Sequence, residues 1–320
     1  MTETRSLSPP IPENVLIRVE VPARPMTWMV SGALAFAAMG ACTYALGSRC
    51  DWLVIALTRV IFMFISTAIV ARLVGVPLVF LRPRTLWIRS LAGSFSLVCN
   101  FYAMTRLPLA DVLTLTNTYP LWILMATAIG MRRGLTIREF SGVAAALLGV
   151  FLIQRPDLSG DRTAALVALV SSFSTAVAML GLHRLKAIDP RAVVVHFAGV
   201  AGIVALAGLA LRRSDLHPFQ ADFATIALLF GVGVFGTVGQ VLLTKAYAAG
   251  APTKVSVAGL TQVVFAVCFD VLIWRRSLSL PTLLGMALIL TPTAWLSGRS
   301  RPASGTSEDE DAVITEAVQS

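Results

Sequence analysis

Charged residues are scarce in this chain. Aspartate, glutamate, lysine and arginine make up 13% of its 320 residues, about half the share found in soluble proteins. Hydrophobic residues account for 56%, and the mean hydropathy is +0.78. Because one water-soluble core cannot hide so much apolar surface, the composition excludes an ordinary soluble domain and indicates a membrane protein.

The chain also lacks the motifs of several classes of enzyme and pump. It has no Walker loop, no metal-ligand cluster and no serine nucleophile motif, so we predict no enzyme activity, no catalytic residue, no metal site and no cofactor. The letters "GVGVFG" at 231–236 match a dinucleotide fingerprint but lie inside an apolar run with no preceding strand. The four cysteines have neither metal-site spacing nor a paired framework.

Long apolar runs with short loops between them dominate the sequence. A helix of about 20 apolar residues crosses a hydrocarbon layer about 30 Å thick, and backbone exposed to lipid must satisfy its own hydrogen bonds. We therefore predict an all-α membrane protein with ten transmembrane helices. The predicted helices are 26–46, 53–74, 86–105, 109–130, 137–153, 162–182, 192–211, 222–244, 253–274 and 280–298.

The basic residues predict the orientation. With the amino terminus inside, 17 lysines and arginines fall on cytoplasmic segments and 8 on outer ones, as the positive-inside rule requires. Both ends are therefore predicted to be cytoplasmic in a cell inner membrane, as a flexible tail over 1–25 and an acidic, disordered tail over 299–320. The net charge of +9 follows from this topology, because the basic residues form no nucleic-acid-binding face.

A weak internal repeat relates the two halves. At an offset of 143 positions, eight residues between 103 and 144 are identical to their counterparts, among them Thr118 with Thr261 and Gly142 with Gly285. An offset near 138 aligns the earlier helices. We predict two five-helix repeats, 26–156 and 157–298. Because five is odd, they would be inverted in the membrane, as in carriers that open alternately to each side.

The first half resembles the EamA-type domain of the drug/metabolite transporter superfamily. The resemblance rests on Phe101-Tyr102-Ala103, "LPLAD" at 107–111, Pro120, the glycines Gly142 and Gly149, and Arg155-Pro156, and the combination is most similar to bacterial relatives of the solute carrier 35 group G proteins. It implies a ten-helix inner-membrane carrier with a central cavity. Where the family has Leu-Gly-Glu, this chain has Met131-Arg132-Arg133 and Trp274-Arg275-Arg276, so an ion pair made by that glutamate would be absent or reversed.

Three of the charged residues within the apolar runs are candidates for function. An arginine at the centre of a transmembrane helix costs about 2.5–3.5 kcal/mol on insertion scales. Arg59 is predicted to contact an anionic group of a solute, although it could also snorkel to the interface or form a structural pair. Asp111 and Asp270 are its candidate partners, for gating, and a carboxylate whose partner changes could exchange a proton or ion during coupling.

Polar groups at membrane depth predict a hydrogen-bonding cavity. Those on the fourth helix recur at helical spacing, although hydroxyl groups there could equally hold the helices together. The predicted solute-binding residues besides Arg59 are Asn100, Tyr102, Thr114, Asn117, Thr118, Trp122, Gln240 and Gln262.

These features predict a secondary carrier in the lipid bilayer that moves a small organic solute, with one five-helix half rocking against the other. Two alternatives stay open at this point. One is a membrane scaffold or lipid-modifying enzyme that does not transport. The other is a flippase for a lipid-linked substrate, which would need a lateral opening and an apolar cavity.

Overall fold

A computed structural model describes residues 24–104, 106–130, 136–157, 161–211 and 222–297. Apart from residues 24 and 25, the two predicted tails lie outside these ranges, as does Met131-Arg132-Arg133. Every regular element of the described residues is helical. The helices of the first half are α1 (Pro25–Leu46), α2 (Trp52–Leu73), α3 (Arg84–Met104), α4 (Leu109–Thr116), α5 (Tyr119–Gly130) and α6 (Ile137–Gln154).

The second half repeats this order. Its helices are α7 (Arg162–Arg184), α8 (Pro190–Leu211), α9 (Phe223–Ala249), α10 (Pro252–Gly259), α11 (Thr261–Trp274) and α12 (Leu280–Ser297). Eight segments are long and apolar enough to cross a membrane, with α4 and α5 counted as one segment and α10 and α11 as another. The segments that fall short are α3, which carries Arg84 and Arg89, and α12, whose apolar stretch is Leu280–Leu296.

Successive segments run in alternate directions, so their ends lie on two faces. We call the face that carries Arg49, Arg106 and Arg155 the outer face, and the opposite face, with Arg84 and Arg184, the inner face, following the charge-based prediction. Aspartate N-caps begin α2, α7 and α9 at the outer face, and each accepts a backbone N–H of the first turn at 2.8 to 2.9 Å.

Two segments predicted as continuous helices are interrupted. The break between α4 and α5 falls at Asn117 and Thr118, where Pro120 has no N–H to donate to the carbonyl of Thr116. The break between α10 and α11 falls at Leu260. The two breaks are 143 positions apart. So are the starts of the eight-residue helices α4 and α10, and those of the 18-residue helices α6 and α12.

The helices of the two halves interleave. Helix α1 packs mainly on α9, α3 on α7, α2 on α8, and α6 on α12. We divide these helices into two packing groups, a first group of α1, α2, α9, α10 and α11 and a second group of α3, α4, α5, α7 and α8, which meet where α2 packs on α8. Each group contains helices from both halves, so the expected picture of one half rocking against the other does not match this packing.

The apolar core differs between the two faces. Toward the inner face, a single cluster joins both packing groups, including Met29 on α1, Leu86 on α3, Leu182 on α7 and Tyr247 on α9. Toward the outer face the core divides into two clusters. One holds Leu46, Cys50, Ile55, Leu229 and Val232 of the first group, and the other holds Ala103, Leu107, Val112, Ala164 and Ala168 of the second group.

Candidate solute-binding site

Two predicted site residues meet a serine of another helix. Thr118, at the break before α5, lies with its hydroxyl 2.9 Å from the hydroxyl of Ser172 on α7. The indole N–H of Trp122 donates to the same Ser172 oxygen at 2.8 Å. These contacts are the interhelical hydrogen bonds that the sequence left as an alternative to a solute contact. They hold the α4–α5 segment against α7.

A second polar cluster lies between α3 and α7. The hydroxyl of Ser96 lies 2.9 Å from that of Ser171 and 2.6 Å from that of Thr175, and Ser171 donates to the carbonyl of Ser96 at 2.9 Å. Ser96 and Ser171 are buried, Thr175 is partly buried, and the three hydroxyls are hydrogen-bonded within the protein. Its role in the structure is to fasten α3 to α7.

Three further predicted residues lie near the outer end of the second packing group. Thr114 donates to the carbonyl of Ala110 at 2.8 Å, one turn back in its own helix. Asn117 is half-buried at the end of α4. The ring of Tyr102 lies 4.7 Å beneath the guanidinium of Arg106. These residues share the second packing group with Thr118 and Trp122.

Arg59 extends from α2 toward α1 and α9 of the same packing group. Its guanidinium carbon lies 5.7 Å from the centre of the Phe36 ring. Its Nε is buried and forms no hydrogen bond with any described residue. A Cβ added at Gly236 of α9 would lie 3.1 Å from that nitrogen, so the absence of a side chain there admits the arginine.

Both candidate partners of Arg59 have other partners. Asp111 is 1% exposed and accepts the N–H of Asp157 at 2.9 Å, which ties α4 to the segment after α6. Asp270 pairs with Arg276 at 2.9 Å, and Arg276 also donates to the hydroxyl of Tyr44 at 2.9 Å. The structure brings neither aspartate into a pair with Arg59 among the residues it describes.

The other three predicted amides differ in burial. The Oδ1 of Asn100 on α3 and the Nε2 of Gln240 on α9 are buried, and neither has a hydrogen-bond partner in the described ranges. Gln262 on α11 is exposed. Because a buried amide without a partner is destabilising, Asn100 and Gln240 are the amides best suited to bind a polar solute.

Sequence reasoning missed Arg89 as a site residue, because it was one of the 17 basic residues counted on cytoplasmic segments. Its side chain is 1% exposed, and its guanidinium carbon lies 3.8 Å from the centre of the Phe197 ring. Its Nε and one terminal nitrogen are buried without a hydrogen bond to another described residue. The position of Arg89 inside the predicted helix 86–105 was the feature of the sequence that could have indicated its burial.

Sequence reasoning also missed the contacts that join the two packing groups toward the inner face. The Tyr119 hydroxyl donates to the carbonyl of Ser256 at 3.3 Å, and the hydroxyls of Thr127 and Thr253 are 3.2 Å apart. His183 Nδ1 lies 3.2 Å from the Tyr247 carbonyl. Each pair is distant in sequence, so no local pattern signals it.

A separate groove of about 480 Å³ runs between α6 and α12 and is mostly apolar. None of the predicted solute-binding residues lines it. Its lining residues include Ser141, Gly142, Leu284, Pro292 and Trp295.

This architecture is that of a polytopic helical membrane protein. A solved crystal structure of another protein superposes on it with a TM-score of 0.73, covering 87% of this chain and 99% of the other at 17% identity. A likeness at that identity shows the shared fold.

Sequence comparisons relate the chain to known transporters. Residues 162–298 match the model of the EamA-like transporter family. The chain is 29% identical over 214 residues to the pseudopaline exporter CntI of Pseudomonas aeruginosa, covering 66% of this chain and 74% of the exporter. It is 24% identical over 209 residues to an uncharacterized transporter of Helicobacter pylori, covering 63% of this chain and 69% of that protein.

The second half of the chain therefore matches the EamA-like transporter family, and this match together with the transporter-named relatives supports a membrane transporter. The resemblance to the drug/metabolite transporter superfamily, drawn from the first half, agrees with this match in the second. The relatives are named as transporters or exporters, which points to a function other than catalysis. The finer likeness to the solute carrier 35 group G proteins stays a prediction.

Proposed function

We propose that the chain is a secondary carrier that moves a small organic solute across the inner membrane by alternating access. Its ten segments would form two inverted five-helix repeats with both termini in the cytoplasm. The Pseudomonas aeruginosa relative is named as an exporter, which supports outward movement as the direction.

Equivalent contacts in the two halves support the repeat. Gly236 of α9 approaches Arg59 of α2, and Gly93 of α3 approaches Phe197 of α8. Position 93 is 143 before 236, and position 197 is 138 after 59, the two offsets that the sequence suggested. The main packing pairs are related in the same way, because α1 on α9 becomes α7 on α3.

A difference between the two faces is the observation that carries the proposal. At the inner face, α9 packs against α7 and α8, and α5 packs against α10. Under the repeat, the corresponding pairs at the outer face are α3 with α1, α3 with α2, and α11 with α4. None of these is a packed pair in the described part of the chain. An inverted repeat that is closed on one side and open on the other is what alternating access requires.

We expect the moving bodies to be the two packing groups. In the state described, an apolar cluster joins the groups toward the inner face, α3 is not packed on α1 or α2 toward the outer face within the described ranges, and α2 stays packed on α8 out to Leu53 and Gly208. Solute would enter between them, within reach of Arg59, Asn100 and Gln240, whose buried polar atoms have no described partner. Asp111 and Asp270, with Tyr102, Thr114, Asn117, Thr118, Trp122 and Gln262, stay candidates for gating or binding.

A reversible cross-link between α5 and α10 tests this mechanism. Thr127 and Thr253 belong to different groups, lie near the inner face, and have hydroxyls 3.2 Å apart. In a background without the native cysteines, we expect Thr127→Cys with Thr253→Cys to abolish transport in proteoliposomes when oxidised and to restore it when reduced. The cargo would be found beforehand by screening a metabolite panel.

The matched control joins two helices of the same group. The Ser96 and Thr175 hydroxyls are 2.6 Å apart, and both helices belong to the second group. A cross-link between Ser96→Cys and Thr175→Cys should leave transport intact. Transport that survives the Thr127–Thr253 cross-link would overturn alternating access between these groups, and the absence of any transported metabolite would favour a scaffold.

A further inference from the structure

Two guanidinium groups point toward the middle of the membrane from opposite faces. Arg59 lies on α2, which begins at the outer face, and Arg89 lies on α3, which begins at the inner face. Long basic side chains near a helix end ordinarily turn back toward the nearer interface. The side chains that surround these two arginines show that both do the reverse.

Arg59 reaches mid-depth from the outer face. Its guanidinium lies over Phe36, which is ten residues, or about 15 Å, from the outer end of α1. Met39, one turn nearer that end, would lie 3.1 Å from a Cβ added at Gly236, the same glycine that borders the Arg59 side chain. The charge therefore sits near the centre of a hydrocarbon layer about 30 Å thick.

Arg89 reaches a similar depth from the inner face. A Cβ added at Gly93 would lie 2.8 Å from a terminal nitrogen of Arg89, and Gly93 is nine residues, or about 14 Å, from the inner end of α3. A Cβ at Gly181 of α7 would lie 3.0 Å from the Cβ of Arg89. Two glycines thus make room for a buried guanidinium beside Phe197.

No described carboxylate neutralises either charge. Asp111 and Asp270 are held by Asp157 and Arg276, as given above. The other ion pairs of the described ranges, Arg49 with Asp222, Arg106 with Asp161, and Arg191 with Asp189, lie at helix ends. A buried charge without a partner is costly, and it is retained at the bilayer centre mainly for function.

The two arginines flank one interface. Phe197, which stacks on Arg89, and Val60, the residue after Arg59, belong to the same apolar cluster between α2 and α8. Phe197 also occupies the position that corresponds to Arg59 in the second repeat. The charges therefore lie on either side of the junction between the two packing groups, one in each group.

We propose that the transported solute carries an anionic group, a carboxylate or phosphate, and that Arg59 and Arg89 are its two alternate counter-ions. Arg59 binds the anion while the outer side is open, and Arg89 receives it when the inner side opens. This inference rests on the proposed transport function and adds the charge of the cargo. The ionic partner that each guanidinium lacks within the described protein is then supplied by the solute.

Thermal unfolding of the purified full-length chain measures anion binding directly. The probes are acetate, succinate and inorganic phosphate, each compared with chloride at equal ionic strength, and succinamide as the uncharged match for succinate. We expect at least one anion to raise the unfolding temperature of the wild type. In Arg59→Gln its apparent Kd should weaken at least about tenfold, because the counter-ion is lost.

Exposed arginines on the same helices supply the controls. Arg72 on α2 and Arg84 on α3 are exposed, so Arg72→Gln and Arg84→Gln should bind the anion as the wild type does. If Arg72→Gln and Arg84→Gln weaken anion binding as much as Arg59→Gln does, the change in net charge explains the effect. If no anion stabilises the wild type more than Arg59→Gln, or if succinamide stabilises it equally, the anion assignment is wrong.

Arg89 is tested with the inner-face cross-link. In the protein carrying Thr127→Cys and Thr253→Cys, Arg89→Gln should reduce the anion-dependent stabilisation when the cross-link is reduced and leave it unchanged when the cross-link is oxidised. The same reduction in both states, or in neither, would exclude Arg89 as an alternate counter-ion. Arg89→Lys, which keeps the charge, should retain part of the binding and guards against a folding defect.

Two further results separate this inference from its premises. Stabilisation by vesicles containing phosphatidylglycerol, but by none of the soluble anions, would assign the arginines to lipid headgroups and overturn the cargo assignment. If the anion binds through Arg59 while transport survives the Thr127–Thr253 cross-link, the binding site stands and the proposed mechanism fails. If the cross-link abolishes transport but the transported cargo is neutral or cationic, the proposed mechanism stands and the anion assignment fails.

Discussion

Among the described residues, several predicted polar side chains have a partner in the protein, and others are buried without one. Thr118 and Trp122 share Ser172, and Asp111 holds the N–H of Asp157, so their hydrogen bonds already stabilise the folded helices. Asn100 and Gln240 each bury a polar atom that has no described partner. The sequence identified both sets as membrane-embedded polar groups, but their partners lie on distant helices and could not be read from it.

The two aspartates predicted for gating should differ in their effect on stability. Asp111→Ala removes a buried carboxylate that accepts the Asp157 N–H and should cost about 1–3 kcal/mol. Asp270→Ala removes an ion pair whose side chains are 54% and 37% exposed, and should cost less than about 1 kcal/mol. Denaturant unfolding in mixed micelles measures both. A loss of transport in Asp270→Ala at unchanged stability would instead support the gating role.

The buried amide of Gln240 gives a second comparison. Gln240→Leu replaces a polar atom that lacks a described partner with an apolar group of similar size, so the unfolding temperature should stay the same or rise. Transport should fall, because the amide would no longer meet the solute. A drop in stability together with normal transport would mean that Gln240 is a structural residue.

At the scale of helices, the apolar runs predicted the bounds of nearly every segment to within a few residues. The runs could not predict the breaks at Asn117 and Leu260, because a broken helix and a continuous one share the same composition. Pro120 signalled the first break, but its counterpart in the second copy, Val263, is not a proline. The depth of Arg89 was missed for a related reason, since a residue near a predicted boundary can point either way.

The crossing of α6 and α12 depends on one glycine from each helix. A Cβ added at Gly149 would lie 2.5 Å from the backbone oxygen of Gly285, so Gly149→Ala should separate the helices and lower the unfolding temperature. Gly142→Ala is the matched control on the same helix, because its Cβ would make only an ordinary contact, 3.7 Å from Pro292. Equal losses in both variants would mean that helix propensity, rather than close packing, explains the effect.

At the scale of the whole molecule, the order of segments and the offsets of 143 and 138 could be predicted from the sequence, but the interleaving of the halves could not. Hydropathy shows which residues face lipid or core and carries no information on which helix packs on which. The apolar cluster that closes the inner face draws on residues from Met26 to Ala258. Only the folded chain brings these residues together and leaves the outer clusters separate.

Labelling of single cysteines tests the central claim, that one solute path is closed toward the inner face and open toward the outer. The outer reporter is Thr114→Cys on α4, the inner reporter is Met179→Cys, which replaces a residue packed on the inner cluster, and the lipid-facing control is Ile203→Cys, 69% exposed on α8. A charged thiol reagent is applied to sealed vesicles of each orientation. We predict that Thr114→Cys reacts from the outer side, that Met179→Cys becomes reactive from the inner side only when transported solute is added, and that Ile203→Cys never reacts. A Met179→Cys that reacts freely from the inner side without solute, beside an unreactive Thr114→Cys, would contradict the account.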